Sequence, residues 1–431
     1  MAVRYKAGTI HVKLSTLPFY LKIFMYYLGL DFGTSGARAA IIDSARTEVW
    51  SGSFAYPSPE NQTPAVWDTA LLELLGRIPA TLKPELQAIA IDGTSGTVLL
   101  SDIDGRALGP VLLYRHPLAA DPAAKLHWLK HHCGHGKPAH LLHQVDYLNA
   151  RLSGIVGISD YHNALKSGYD VREMAWRKGI YSVDEMALLP RIVAPGTPLG
   201  NLQRGFSRRY AINPRCLVCS GTTDSIAAFL AADTVTPGDA VTSLGSTLAV
   251  KLLSTTYVEA PELGVYSHKY GDLWLTGGAS NSGGAVLRHY FSETELVEYS
   301  KLIDPETDTG LDYYPLLRPG ERFPVNDPEF LPRMEPRPEN KVLWLQGLLE
   351  GMAEIERQAY ARLVELGATT LKTVLTSGGG SKNRVWQILR QRRLGVPVAP
   401  AIHTDAAYGA ALLASRHSPE RLAPPAASQG G

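Results

Sequence analysis

Short apolar runs that end in glycine-containing turns recur along the chain and predict strands joined by tight turns. Tyr26–Leu30 and Ala37–Ile42 flank one such turn, and Ala240–Thr242 and Leu248–Val250 flank another. Apolar runs of this length bounded by turn residues are typical of buried strands, so each pair predicts a hairpin. Two similar hairpins, one opening each half of the chain, indicate a pseudo-duplicated architecture with a boundary near Ala231–Gly238.

Other apolar runs alternate with helical patterns, which predicts an α/β fold. Ala88–Ile91 and Cys216–Cys219 each read as a strand that runs into a polar, glycine-containing turn. The clearest helix is Val342–Leu366, where apolar residues recur at steps of three and four. Pro324–Pro338 contains five prolines and predicts a surface loop with little regular structure.

Composition predicts a globular protein of two domains. The chain has 431 residues, of which 45% are hydrophobic and 19% charged. A net charge of +1 gives no electrostatic reason to expect nucleic acid or a membrane as a partner. Three cysteines are too few for a disulfide framework and favour a reducing compartment, so we expect a cytoplasmic protein.

The two ends of the chain predict segments outside the fold. Residues 1–24 carry basic residues and no acid, and the apolar run Leu17–Leu30 is broken by Lys22. A signal peptide needs an unbroken apolar core and a small-residue cleavage site. We therefore expect residues 1–24 to be an extension, with Met25 as an alternative start and a targeting segment as the other interpretation. Residues 421–431 predict a disordered tail.

Three glycine-rich turns point to phosphate chemistry. They are Asp31–Gly36, Ser243–Thr247 and Ser377–Ser381, and each follows an apolar run. Glycine lets the backbone approach a phosphate closely, and hydroxyl and N–H groups donate to its oxygens. Spread over both halves, they predict a nucleotide held between two lobes. The third turn precedes the predicted helix Arg384–Arg393 and matches neither the P-loop nor the dinucleotide-binding pattern.

Two aspartates are the candidate chemical groups. Asp224 lies between an apolar strand and the apolar helical run Ile226–Ala232, where it is either a helix cap or a base that accepts a hydroxyl proton. Asp31 ends the first strand and either bonds the N–H groups of its own turn or positions Mg²⁺ through water. The triplet Asp31–Gly33 mimics a protein-kinase motif, but the other motifs of that family are missing from the sequence.

Cysteine and histidine clusters favour structural interpretations. Cys216 and Cys219 lie three apart on a strand, where they face opposite sides, so a metal pair is not expected. The histidines of residues 127–135 surround a predicted helix end, where solvated side chains are typical.

Together these segments resemble the FGGY carbohydrate kinases. Asp31–Gly36 resembles their first phosphate motif, Asp239–Val250 the second, and Ser377–Ser381 with Asn383 the adenosine motif. Gly221–Ser225 resembles the segment that holds the catalytic aspartate. The resemblance extends from about residue 26 to residue 414 and implies a two-lobed, actin-like (ribonuclease-H-like) ATPase fold with nucleotide in the interdomain cleft.

The resemblance also implies roles for individual residues. It implies a sugar-binding lobe over residues 25–235, a nucleotide-binding lobe over residues 236–420, and ATP with Mg²⁺ between them. Asp224 is then the base, and Asp31 and Thr34 lie near Mg²⁺ and the transferred phosphate. The implied sugar-binding residues are Asp31, Ser35, Gly36, Ala37, Arg38, Ser95 and Asp224. The implied nucleotide-binding residues are Gly245, Gly379, Gly380, Ser381, Lys382 and Asn383, with Trp386 packing nearby.

Within the family, Gly221–Ala232 and Asp160–Asp170 resemble a short cyanobacterial and plant group for which D-ribulose is the expected substrate. We therefore expect an ATP-dependent kinase that converts D-ribulose to D-ribulose 5-phosphate. D-xylulose or a polyol is the alternative substrate. A non-catalytic sugar- or nucleotide-responsive protein and an actin-fold ATPase are the alternative functions. Tyr114–Pro117 lacks an aspartate that many family members carry, which puts the identity of the sugar in question more than the chemistry.

Overall fold

The computed structural model describes residues 25–134 and 136–416. The predicted extension over residues 1–24 and the predicted tail over residues 421–431 lie outside these residues. Most strands of the described chain belong to two large mixed sheets, one built from each half of the sequence.

The strands of the described residues are β1 (Tyr26–Phe32), β2 (Gly36–Asp43), β3 (Glu48–Ala55), β4 (Leu86–Gly93), β5 (Val98–Ser101), β6 (His140–His143), β7 (Ile158–Asp160), β8 (Tyr169–Asp170), β9 (Ala175–Trp176), β10 (Arg191–Val193), β11 (Pro198–Asn201), β12 (Leu217–Cys219), β13 (Thr222–Thr223), β14 (Asp239–Leu244), β15 (Leu248–Ser254), β16 (Tyr266–Tyr270), β17 (Leu273–Ser280), β18 (Thr373–Ser377) and β19 (Val398–Pro400).

The α-helices of the same residues are α1 (Pro64–Arg77), α2 (Pro122–His132), α3 (Gln144–Ser153), α4 (Tyr161–Ala164), α5 (Val183–Met186), α6 (Arg204–Tyr210), α7 (Asp224–Ala231), α8 (Gly284–Tyr290), α9 (Glu293–Ser300), α10 (Lys341–Glu365), α11 (Arg384–Leu394) and α12 (Ala406–Ser415). The predicted long helix is α10, displaced by one residue at each end.

The first sheet has the strand order β11-β12-β4-β1-β2-β3, and β13 also pairs with β4. β1 and β2 form the predicted antiparallel hairpin. β1, β12 and β13 all pair with β4 in parallel, so their carboxyl ends lie at one edge of the sheet. Helices α1 and α3 pack their apolar faces on this sheet.

The second sheet has the order β16-β17-β15-β14-β18-β19. It repeats the central pattern of the first sheet, because β14 forms an antiparallel hairpin with β15 and a parallel pair with β18. Both predicted hairpins are therefore confirmed. Helices α10 and α11 pack on this sheet. The proline-rich segment Pro324–Pro338 forms neither helix nor strand beyond isolated bridges, as expected.

Helices α7 and α12 join the two halves. One buried cluster includes Tyr27 of the first sheet, Phe229 of α7, Leu413 of α12 and Val241 of the second sheet. Helix α12 comes from the end of the chain yet packs on β1 and α7, so both halves contribute to this shared core. Within residues 25–134 and 136–416, no helix combines the length and the apolar character needed to cross a bilayer.

Candidate active site

The first glycine turn is shorter than the sequence suggested, because β1 continues through Phe32 and β2 begins at Gly36. The N–H of Gly33 donates to the carbonyl of Gly36 over 3.0 Å, which closes the turn. Ser35 is exposed at the tip, while Ala37 is buried in the strand behind it. Arg38 is exposed, and its Nη1 lies 3.6 Å from Oδ2 of the buried Asp31.

Neighbouring segments hold Thr34 in this turn. The hydroxyls of Thr34 and Tyr114 share a hydrogen bond of 3.1 Å, and Nε2 of Gln62 donates to the carbonyl of Thr34 over 2.8 Å. Trp67 in turn donates to Oε1 of Gln62 over 3.0 Å. The segment Tyr114–Pro117, which the sequence marked as lacking an aspartate, thus places a tyrosine hydroxyl on the first glycine turn.

Asp31 faces a second buried aspartate that the sequence analysis missed. Asp31 and Asp92 are register partners on the adjacent parallel strands β1 and β4. Asp92 is fully buried, and neither of its oxygens has a partner other than the Asp31 carboxyl among the described residues. Two ionised carboxylates repel each other, so their proximity favours a proton on at least one of the pair.

Burial sets the ionisation of this pair. It raises the pKa of Asp31 to about 6, against the lowering effects of the hydrogen bond with Asp92 and the charge of Arg38. Burial, reinforced by the charge of Asp31, raises the pKa of Asp92 well above its usual value. A ligand that brings positive charge to this site favours the ionised forms.

Ser95 lies in the turn that follows Asp92. The turn is held by Gln144 at the start of α3, whose Oε1 accepts from both the N–H and the hydroxyl of Thr94 over 2.9 Å. The hydroxyl oxygen of Ser95 is buried and has no protein partner within the described chain. A hydroxyl in this state is available to a ligand.

Asp224 is the first residue of α7, and the cap position belongs to Thr223. The capping alternative therefore does not describe this aspartate, whose Oδ1 instead accepts from the N–H of Ser225 over 2.6 Å. Burial raises the pKa of Asp224, whereas this N–H and the ammonium of Lys251 lower it. β13, which leads into α7, pairs with β4 so that Thr222 lies opposite Asp92. Asp31, Asp92 and Asp224 thus leave neighbouring strands at the same sheet edge.

The second and third glycine turns meet at the corresponding edge of the second sheet. Ser243 is the last residue but one of β14 and Ser377 is the last residue of β18, and their hydroxyls share a hydrogen bond of 2.9 Å. Gly378 has a φ of +82°, and a Cβ atom there would lie 2.6 Å from the carbonyl oxygen of Leu244, so only glycine fits. The two turns therefore form one continuous backbone surface.

A cavity of about 500 Å³ opens beside these turns, a size that suits a nucleotide. It brings together five of the six residues for which the family resemblance implies nucleotide binding, which are Gly245, Gly379, Gly380, Lys382 and Asn383. Trp386 also lines it. Ser381 has another contact: its hydroxyl donates to the carbonyl of Gly378 over 2.7 Å and closes the third turn.

Helices α8 and α9 supply the remaining cavity wall, which sequence analysis missed because no motif marks it. Leu287, Leu296 and Val297 give this wall an apolar surface. Asn383 donates from Nδ2 to the hydroxyl of Ser300 over 2.9 Å, and Arg288 donates from Nη2 to that of Ser246 over 3.0 Å.

The cysteines and histidines that the sequence singled out lie in surroundings typical of structural residues. Cys216 and Cys219 are buried free thiols in clusters on opposite faces of the first sheet, as predicted. His127 lies in the middle of α2 and contacts Glu185, and His132 ends the helix and stacks on Trp128. His135 lies outside the described residues. In the part of the chain that the structure describes, no group of three or more His, Cys, Asp or Glu side chains is spaced to hold a metal ion.

Comparisons with known proteins agree with this architecture. Residues 240–418 match the C-terminal domain of the FGGY family of carbohydrate kinases. The chain is 23% identical to a xylulose kinase of Klebsiella pneumoniae, over 70% of this chain and 71% of the relative. It is 22% identical to a gluconokinase of Bacillus subtilis (strain 168), over 90% and 86% of the two chains.

The solved structure of a protein titled xyloylose kinase from Brucella ovis has a similar fold. It superposes with a TM-score of 0.77 at 24% identity and covers 90% of both chains. This likeness confirms the expected two-domain, actin-like α/β fold. Residues 240–418 thus match the C-terminal domain of the FGGY carbohydrate kinases, and the chain as a whole is similar to proteins named as carbohydrate kinases.

Proposed function

We propose that this protein is an ATP-dependent kinase that phosphorylates the terminal hydroxyl of a ketopentose, with D-ribulose as the first candidate. The observation that carries the proposal is the placement of Asp224. It leaves the first sheet at the same edge as Asp31 and Asp92. The second sheet presents its two glycine turns and a nucleotide-sized cavity.

In the proposed reaction, Asp224 accepts the proton of the sugar hydroxyl. The oxygen of that hydroxyl bonds to the γ-phosphorus of ATP while the bond between this phosphorus and ADP breaks. The hydrogen bond from the Ser225 N–H to Oδ1 of Asp224 supports this role, because it fixes the carboxyl group at the start of the helix. The proposed sugar contacts are Asp31, Ser35, Gly36, Ala37, Arg38 and Ser95. Ser95 fits this role because its buried hydroxyl lacks a partner in the described chain.

The proposed nucleotide site is the cavity beside the second and third turns, lined by Gly245, Gly379, Gly380, Lys382 and Asn383. Thr34 and the N–H groups of the first turn would face the transferred phosphate. Mg²⁺ fits near Asp31, whose Oδ1 is buried without a hydrogen-bond donor in the described structure. Bound there through water, the ion would neutralise phosphate charge. Asp31 would hold that water, and the guanidinium of Arg38 would balance the charge of the Asp31 carboxylate.

The proposed domain roles follow from this division of labour. Residues 25–235 carry the acids and the sugar contacts, and residues 236–420 carry the nucleotide cavity. We also propose a cytoplasmic location, which is supported by the free thiols of Cys133, Cys216 and Cys219.

The choice of D-ribulose as the first candidate rests on the resemblance of Gly221–Ala232 and Asp160–Asp170 to the short group of sugar kinases. D-xylulose is the second candidate, because relatives of this chain are named xylulose kinases.

The test is ADP release with ATP, Mg²⁺ and a panel of D-ribulose, D-xylulose, ribitol, gluconate and glycerol. We expect D-ribulose to give the highest kcat/KM. Asp224→Asn should lower kcat by roughly 10²–10⁴-fold because the proton acceptor is lost. Asp312→Asn, at an exposed side chain paired with Arg333, is the matched control and should behave as wild type. Wild-type turnover in Asp224→Asn would refute the assignment of the base, and absence of sugar-dependent ADP release with every compound would refute the kinase.

A further inference from the structure

Lys251 connects the second sheet to the helix that carries Asp224. It lies in the middle of β15, opposite Val241 on β14 and Gly277 on β17. Its neighbours Val250 and Leu252 face the core beneath α10, so Lys251 is on the opposite face, toward α7. No motif of the sequence marks this residue.

The ammonium of Lys251 binds the first turn of α7. Its Nζ donates to the backbone carbonyl of Ser225. The N–H of the same residue donates to Oδ1 of Asp224 over 2.6 Å. Ser225 is therefore held from both sides, by the aspartate through its N–H and by the lysine through its carbonyl.

The two side chains also interact through their charges. The Lys251 ammonium lowers the pKa of Asp224, and the Asp224 carboxylate raises that of Lys251. Burial acts in the opposite sense on both, and it lowers the pKa of Lys251 to about 8. A charged group placed in a poorly solvated site is retained at lower cost when a partner of opposite charge faces it.

We propose that Lys251 is a positioning residue for Asp224, reaching from one half of the molecule to fix the first turn of α7 in the other half and to face the carboxylate with a positive charge. The proposal rests on the proposed function for its catalytic meaning. Its consequence is that the base is correctly placed only when the two sheets hold their present relative position. Lys251 touches neither the nucleotide cavity nor the three glycine turns in the described contacts, so its loss should act on turnover more than on ATP binding.

The kinetic test compares Lys251→Met, Lys251→Arg and the control Lys372→Met. Lys372 is exposed and precedes β18 in the same sheet. We expect Lys251→Met to lower kcat by roughly 10- to 100-fold, since small displacements of a catalytic group have effects of this size. The KM for ATP should change by less than about threefold, as for an interaction that matters in the transition state. Lys251→Arg should recover most of kcat, and Lys372→Met should match wild type.

Wild-type kcat in Lys251→Met, or a loss seen mainly in the KM for ATP, would overturn the proposal. Failure of Lys251→Arg to recover more activity than Lys251→Met would also contradict it, because arginine retains both the donor and the charge.

A double-mutant cycle tests the electrostatic interaction between Lys251 and Asp224 without any sugar. Urea unfolding is measured for wild type, Lys251→Met, Asp224→Asn and the double variant. We expect Lys251→Met to lower the urea midpoint more in the wild-type background than in the Asp224→Asn background. Only in the wild-type background does loss of the ammonium leave the Asp224 carboxylate without a balancing charge. Should Lys251→Met fail to fold, the double variant should recover folding.

Additive effects in this cycle, or a double variant that does not recover, would refute the electrostatic interaction between the two side chains. The cycle also separates the two proposals. An enzyme inactive on every sugar would refute the proposed function, whereas the cycle would still confirm or refute the role of Lys251 at Asp224.

Discussion

At the scale of single residues, the site is dominated by acids whose ionised forms are disfavoured by burial. The pKa values of Asp31, Asp92 and Asp224 are all raised, and burial is the largest cause in each case. Such acids bind protons more tightly in the folded protein than in the unfolded chain. Acids held this way are a common mark of sites built to receive a cation or a proton.

Stability should therefore fall as pH rises through the interval between the unfolded and folded pKa values of these acids. Above pH 4 the unfolded chain releases their protons first, so the folded state binds more protons, and the free energy of unfolding decreases with pH. For Asp31 this decrease continues to a pH of about 6.

Asp92→Asn should reduce this pH dependence, because the amide can donate to Asp31 without a shared proton. The expected result is a gain in the urea midpoint at pH 8 relative to wild type and a smaller gain or none at pH 5. Asp68→Asn, at a partly exposed aspartate that pairs with Arg151, serves as the control. An Asp92→Asn variant less stable than wild type at pH 8 would contradict this account of the pair.

At the scale of elements, one buried ion pair connects the strands that lead into the second and third glycine turns. Arg390 of α11 donates to Glu356 of α10 over 2.6 and 2.7 Å, and both side chains are almost fully buried. Thr242 of β14 donates to Glu356, and Thr376 of β18 accepts from Arg390 over 2.7 Å. The strands that end in the second and third turns are thus held by the same two helices.

Arg390→Met should destabilise the protein by about 3–5 kcal/mol, since it leaves Glu356 buried without its counter-charge. Urea unfolding measures this loss. The control is Arg362→Met, whose exposed partner Glu365 lies 3.0 Å away on the same helix. That variant should cost less than about 1 kcal/mol. Equal losses in the free energy of unfolding of the two variants would contradict the prediction that the buried Arg390 pair contributes more to stability than the exposed pair.

At the scale of the whole molecule, the two halves depend on close contact between α7 and α12. A Cβ atom at Gly409 of α12 would lie 1.8 Å from the carbonyl oxygen of Ala227 in α7. The backbones of these helices therefore pack without a side chain between them. Since Asp224 begins α7, this contact also influences where the proposed base lies relative to the second sheet.

Gly409→Ala should lower stability by about 3 kcal/mol or more, because the new methyl group meets backbone that cannot move aside easily. Gly205→Ala is the matched control, as that glycine lies in α6 with open space around its Cβ position. Helix propensity predicts that the control is neutral or slightly stabilising. Thermal unfolding compares the two, and a wild-type Tm for Gly409→Ala would contradict the predicted packing.

The sequence by itself determined the features that depend on neighbouring residues. Apolar runs and glycine turns predicted both hairpins, the long helix α10 and the α/β class, because local periodicity and turn chemistry need no distant partner. Asp224 and the residues around the third turn were marked for the same reason: their residue types and spacing are visible along the chain. The fold name came from the resemblance of these motifs taken together.

Only the tertiary structure decided which distant residues meet. Asp92 became a partner of Asp31 through the register of β1 and β4, and Lys251 reached α7 through packing between the two halves. Tyr114 reached the first turn from a segment that the sequence marked only for what it lacked. Asp31 and Asp92 are 61 positions apart along the chain, Ser225 and Lys251 are 26 apart, and Thr34 and Tyr114 are 80 apart. Contacts at such separations depend on strand pairing and helix packing, which a local pattern does not specify.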